Sequence, residues 1–152
     1  MFRQNQFRDY LHWSPHYKVG IQIMDEQHLR LIDIANELYH GVLASRYAFT
    51  EKEEEEAAQY FRQGMHDAVD YVTHHFATEE SFMHIYEWPE YAFHKSEHDR
   101  YARAVLECVQ RFEHGNKLAG LEFVRYLRDW LLHHVSITDK DFAAFAKHKG
   151  LT

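Results

Sequence analysis

Two residue pairs constrain this chain more than anything else in it. His75 and Glu79, and His94 and His98, lie within the stretch HHFATEESFMHIYEWPEYAFHKSEH, residues 74–98. Each pair is spaced i, i+4, which on an α-helix puts both side chains on one face, a turn apart. Trp88-Pro89 lies between the pairs and reads as a turn, with Pro89 suited to a first helical position. Two helices therefore run back to back, each offering a two-ligand face. The remainder of the fold has to accommodate those faces.

Hydrophobic periodicity extends the pattern to four helices. Ile21, Met24, His28, Leu31, Ala35, Leu38 and Val42 alternate spacings of 3 and 4, as on a helix facing a bundle core, and predict a helix over 21–44. Phe61, Met65, Ala68, Val72, His75, Glu79 and Phe82 form a second stripe, in a helix over 51–86 that Gly64 is expected to loosen. Thr50 with Glu53 reads as a capping box, and the acidic run from Glu51 to Glu56 as a solvated first turn. His94, His98, Tyr101, Val105, Cys108 and Phe112 place a third helix at 90–113, ended by Gly115-Asn116. Val124, Leu127, Leu131 and His134 define a fourth, over 117–138, with a further turn or two in the tail. Ser14-Pro15 and Gly20 interrupt residues 1–20, which read as an N-terminal arm with a short helical turn near 4–11. The expected fold is all-α: a single domain over 1–152, an antiparallel up-down-up-down four-helix bundle with that arm.

The 14 histidines are the composition's anomaly, since surface solvation does not require them. A lone histidine on an apolar stripe is ordinarily a hydrogen-bonded core residue. Here every helix puts at least one at a core position, and two carboxylates accompany five imidazoles. Burying that many polar groups without partners costs several kcal/mol each, on the order of a whole domain's stability. One metal site satisfies them together. Imidazole and carboxylate suit iron, zinc or manganese, and the absence of thiolates disfavours an iron–sulfur cluster. Seven ligands are too many for one ion, so two ions sharing Glu79 and Asp139 as bridges account for them. Asp139 poses a difficulty. Five residues after His134 it stands about 140° off that face on an ideal helix, so it must reach in from the flank or sit where the helix loosens.

The segments HWSPHYKVGIQIMDEQH, HFATEE, HKSEH and HHVSITD resemble the signature segments of the hemerythrins, in particular the bacterial hemerythrins, and the resemblance covers nearly the whole chain. It implies metal ligands His28, His75, Glu79, His94, His98, His134 and Asp139, all seven matching in residue type. It implies two iron ions: one on His94, His98 and His134, the other on His28 and His75. Glu79, Asp139 and an oxo or hydroxo oxygen would bridge them. The two-histidine iron would keep an open position for dioxygen, lined by Trp130, Leu131 and Val135. The segment between His28 and His75 is longer than the family leads one to expect, which suggests extended first and second helices or a longer connection.

Reversible dioxygen binding for storage, delivery or scavenging is the function this implies, without enzymatic activity. The alternatives are an oxygen- or redox-sensing module acting through a separate partner, and a di-iron oxidase, peroxidase or nitric oxide reductase. A ferritin-like site is excluded: the single Glu-x-x-His string, Glu37 to His40, lies about 120° off the His28 face. A net charge of −7 argues against nucleic acid and anionic membranes as partners. Lone Cys108, and the lack of a signal-like or membrane-spanning apolar run, lead to an expected cytoplasmic location. No protein partner is indicated. His74 and His133 adjoin ligand candidates and read as exposed or supporting residues. His12, His16, His40, His66, His84, His114 and His148 have no assigned role, and most of them read as surface residues.

Overall fold

The structure, a computed structural model, describes residues 9–152. The helical turn expected near 4–11 falls mostly outside them, and residues 9–11 are not helical. After a 3-10 turn at Pro15–Tyr17 come α1 (Gln22–Arg46), α2 (Glu51–Ile85), α3 (Tyr91–Glu113) and α4 (Leu118–Trp130). A π-helical segment, Leu131–Thr138, leads directly into α5 (Asp139–His148). No strand occurs among the described residues. Each helix packs on the next in the cycle α1, α2, α3, α4 and back to α1, which makes a four-helix bundle.

Local chemistry sets the boundaries. Thr50 accepts from the Glu53 backbone N–H at 3.1 Å, while the Glu53 carboxylate accepts from the Thr50 N–H at 3.1 Å, so the capping box forms as read. The length between His28 and His75 goes into the helices themselves. α1 has 25 residues and α2 has 35, joined by only four. Gly64 does not loosen α2; it lets α1 come close, because a Cβ there would meet the Leu38 side chain at 3.0 Å. α3 ends at Gly115 (φ +93°), where Asn116 N–H donates to Arg111 O at 2.9 Å.

Three further details of the sequence reading need correction. Pro89 does not begin α3. It sits in the turn from Tyr86 to Glu90, where Glu87 takes φ +54° and Trp88 N–H donates back to Met83 O. The helix starts two residues later, at Tyr91. At the lower end of α2, Met83 is buried in place of Phe82, which is half-buried; a strict alternation of 3 and 4 drifts off the face of a straight helix. The tail forms the ten-residue α5, so the fourth rod runs unbroken from Leu118 to His148.

The core is layered. One apolar cluster holds Leu31, Phe76, Tyr101, Trp130, Leu131 and Val135 together with residues above them such as Phe61 and Phe123. A second holds Val19, Ile21, Met24, Met83, Trp88, Phe142 and Ala146. Along each helix the two clusters occur on either side of the buried histidines. Apolar burial stabilises at roughly 1.5–3 kcal/mol per large side chain. The polar layer between the clusters needs a different source of stabilisation.

Candidate metal centre

The structure brings all seven expected side chains into that layer. His28, His75, Glu79, His94 and Asp139 are fully buried, and His98 and His134 nearly so. α1 supplies His28. α2 supplies His75 and Glu79, and α3 supplies His94 and His98, through the i, i+4 spacing of an ordinary α-helix. The fourth rod solves the Asp139 problem by loosening. Asp139 N–H donates to His134 O, an i to i−5 bond that closes a wider turn. Five residues there make about one turn, so Asp139 returns to the face of His134.

The seven fall into two groups that share both carboxylates: His28 and His75 with Glu79 and Asp139, and His94, His98 and His134 with the same pair. The carboxylates divide their oxygens between the groups. Glu79 Oε1 lies 3.0 Å from His75 Nε2 and 3.6 Å from His28 Nε2. Glu79 Oε2 lies 3.2 Å from His98 Nε2 and 3.4 Å from His94 Nε2. Asp139 Oδ2 is 3.2 Å from His28 Nε2. Asp139 Oδ1 is 3.0 Å from His134 Nε2 and 3.2 Å from His94 Nε2. All five imidazoles thus turn Nε2 inward.

This arrangement fits cations better than it fits hydrogen bonds. The His134 Nε2 atom stands 3.0 Å from the Nε2 atoms of both His94 and His98. Lone pairs facing one another at that distance repel unless a proton or a cation lies between them. Ligands about 2.1 Å from one ion and about a right angle apart are separated by about 3 Å. Moreover, His28 Nε2, His75 Nε2, Glu79 Oε1 and both Asp139 oxygens are buried without a hydrogen-bond partner among the described residues. Such atoms cost on the order of 1–3 kcal/mol each if left so. Among the protein's own atoms, burial pushes the His28 imidazole down, yet Asp139 and Glu79 outweigh it and raise it to about 10. His94 rises to about 9 for the same reasons. Burial pushes Glu79 up, but the charge of His75 and the close approach of the His28, His75 and His94 rings hold it well below the usual carboxylate range. Asp139 is likewise lowered: burial and the Glu79 charge raise it, and the charge of His134 with the close approach of the His134 and His28 rings prevails. The cluster is built to hold positive charge.

Four of the five outer nitrogens face residues that sequence reasoning missed, while His94 Nδ1 is buried with no partner among the described residues. His75 Nδ1–H donates to Gln27 Oε1 at 2.7 Å, and His28 Nδ1–H to the Tyr17 carbonyl at 3.3 Å. His98 Nδ1–H donates to Glu80 Oε1 at 2.9 Å, and Glu97 Oε2 comes within 3.5 Å of His134 Nδ1. Such partners fix the ring orientation and raise ligand basicity. Adjacency was the available signal: Gln27, Glu80 and Glu97 each precede or follow a ligand candidate. His74 and His133 are exposed, as expected; His74 Nε2 lies 3.5 Å from the Gln27 amide.

Trp130, Leu131 and Val135 are buried beside the site. The Trp130 ring stacks on His134 at 5.1 Å and meets His75 edge-on at 5.6 Å. The π segment that carries Leu131 and Val135 packs on α1 and on the Pro15–Tyr17 turn. The layer is not wholly apolar: Trp130 Nε1 and the Tyr101 hydroxyl are buried with no partner among the described residues. Of the unassigned histidines, His12, His16, His66, His84, His114 and His148 are exposed, while His40 is half-buried, 3.5 Å from Asp9.

The family model of the hemerythrin HHE cation binding domain matches residues 19–146. The chain belongs to the hemerythrin family. Among hemerythrin relatives, the bacteriohemerythrin of Aquifex aeolicus (strain VF5) is 31% identical over 130 residues, 83% of this chain and 89% of that protein. That of Methylococcus capsulatus (strain Bath) is 27% identical over 127 residues, 84% of this chain and 88% of that protein. A crystal structure of wild-type hemerythrin superposes with a TM-score of 0.72 at 24% identity, covering 90% of this chain and 98% of that one. The hemerythrin fold and a metal-binding cluster are therefore shared, and no helix among the described residues is long and apolar enough to cross a membrane.

Proposed function

We propose that this hemerythrin holds two iron ions and binds dioxygen reversibly, as a store, a carrier or a scavenger rather than as an enzyme. One observation carries the reading: the two groups share both carboxylates but are unequal, three imidazoles against two. His94, His98 and His134 would hold one iron, His28 and His75 the other, with Glu79 and Asp139 spanning both. When bound, the pair of irons would supply two electrons and, on the two-histidine side, affinity for a diatomic ligand. The chain's own residues do the rest. Trp130, Leu131 and Val135 exclude water from the face near His75 and bring no ionisable side chain to it. Gln27 and the Tyr17 carbonyl keep His75 and His28 in the tautomer that turns Nε2 inward. Lone, buried Cys108 suits a reducing compartment, and we place the protein in the cytoplasm on that ground.

The test is an anaerobic ferrous preparation exposed to dioxygen and then deoxygenated. A visible spectrum that appears and disappears over repeated cycles supports a carrier or store; a single irreversible oxidation rejects it. A sensing role is the second reading, and one contact favours it. The His28 ring donates to Tyr17 of the arm, and the arm is tied to the bundle by Asn36, whose amide pairs with Tyr10 and Leu11. A change at His28 would reach the arm directly.

A further inference from the structure

The two halves of the centre differ in what stands behind them as well as in histidine count. Behind the three-histidine half stand two carboxylates. Glu80 Oε1 accepts from His98 Nδ1–H at 2.9 Å, and Glu97 Oε2 lies 3.5 Å from His134 Nδ1. Behind the two-histidine half stand two neutral acceptors, the Gln27 amide and the Tyr17 carbonyl. The neutral side is also fixed in place: Gln27 Nε2 donates to Thr78 Oγ1 at 3.1 Å, so the amide oxygen is the atom presented to His75. Each carboxylate on the other side has a cation further out. Lys95 Nζ lies 3.8 Å from Glu80 Oε2 but 2.8 Å from Asp99, and exposed Arg100 lies 3.8 Å from Glu97 Oε1. Those cations sit on the solvent side, where their field is screened, while the carboxylate oxygens facing the rings do not share that screening.

We infer that Glu80, with Glu97 in support, is a positioning residue that makes the three-histidine half the electron-rich, tightly held cation position, and that Gln27 keeps the two-histidine half electron-poor. This inference rests on the two-ion reading given above. A carboxylate accepting the outer N–H of an imidazole pulls on its proton and makes Nε2 a stronger donor; a neutral amide does so less. A cation on the carboxylate-backed side is held more tightly and prefers its higher charge. A cation on the amide-backed side would retain the Lewis acidity that binding a further ligand requires. Glu80 acts more strongly than Glu97, because its contact has hydrogen-bond length and that of Glu97 does not.

The experiment is a titration of the metal-free full chain with Zn2+, a redox-inert ion suited to imidazole and carboxylate, read as two stepwise constants. Parent protein that takes up fewer than two ions defeats the two-ion reading itself. Given two steps, Glu80→Gln preserves an acceptor for His98 but removes the charge. The expected result is a tighter step weakened by about tenfold or more, with the weaker step changed far less. Glu80→Ala should match it, and Glu97→Gln should show a smaller loss at the same step. Gln27→Glu tests the other side independently and should tighten the weaker step. In iron-loaded protein Glu80→Gln should raise the second one-electron reduction potential, that of the three-histidine half, and leave the first nearly unchanged; a tenfold change in that equilibrium is about 59 mV. If Glu80→Gln binds like the parent and only Glu80→Ala loses affinity, hydrogen bonding without charge is sufficient and the inference fails. Equal weakening of both steps, or no tightening by Gln27→Glu, also overturns it.

Discussion

α2 and the fourth rod each deliver a histidine and a carboxylate that both groups of the cluster share, and they do it with different backbones. In α2, His75 and Glu79 are four apart on a regular helix. In the fourth rod, His134 and Asp139 are five apart, and the chain widens into a π turn to bring them to one face. The same chemical demand is met once by side-chain spacing and once by backbone distortion. A π turn is rare inside an α-helix and occurs mostly where function requires it. The rod accepts it because Asp139 and His134 both face inward while Trp130, Leu131 and Val135 stay buried on the same rod.

The largest expected effect comes from breaking the regular side of that comparison. Glu79 faces both halves of the centre, so Glu79→Ala should lose at least one ion and lower thermal stability by about 3–5 kcal/mol, since it leaves buried imidazoles unpaired and metal binding is also folding energy. Metal analysis together with a thermal melt checks both parts. Two ions retained in that variant would show that Glu79 does not bridge. Chelation of the parent should lower its melting temperature in the same direction.

A smaller effect follows from the sealing side chains of the rod. Leu131→Ala should retain two ions yet cost about 2–5 kcal/mol, the range for truncating a fully buried leucine. With water admitted near His75, the oxygenated form should decay to the ferric state faster than in the parent. Stopped-flow mixing with dioxygen measures this, and unchanged decay in both Leu131→Ala and Val135→Ala would remove those residues from the pocket.

Shortening the backbone should distinguish the two strategies most sharply. Deletion of exposed Ile137 removes one residue from the π segment and leaves His134 and Asp139 four apart, the spacing that α2 already uses. The expected outcome is retention of both ions with a stability change of about 1 kcal/mol or less, because an ordinary α turn replaces a π turn. Deletion of Thr78 in α2 instead turns Glu79 about 100° away and should abolish binding. Zinc titration of both deletions reads the difference directly.

The smallest effect belongs to the exposed neighbours. His74→Ala and His133→Ala should keep two ions and stay within about 0.5 kcal/mol of the parent, as surface changes do. If His74→Ala resembled Glu79→Ala, the inward register of α2 would be one residue out.

Much of this was legible along the chain because helix periodicity is local. His28, His75, Glu79, His94, His98 and His134 occupy apolar stripes, and all are buried where the stripes put them. The Thr50–Glu53 box and the Gly115 stop are signals read within a few residues, and both hold. The Pro89 assignment failed because a proline favours a first helical position without requiring it. The turn was settled instead by Glu87 adopting a positive φ and by Trp88 packing against His94 and Phe142.

The sequence by itself determined the helices, their inward faces and six of the seven inward ligand positions, because a repeat of 3.6 residues and a buried face leave few alternatives for those residue types. Only the tertiary structure decided how Asp139 arrives, since the choice between a flank and a π turn depends on what the other three helices already place in the layer. It alone decided that Glu79 and Asp139 each turn one oxygen to either group. It also decided that His98 is backed by Glu80 from α2 and His75 by Gln27 from α1, since such pairs lie 18 and 48 residues apart and form only when helices pack.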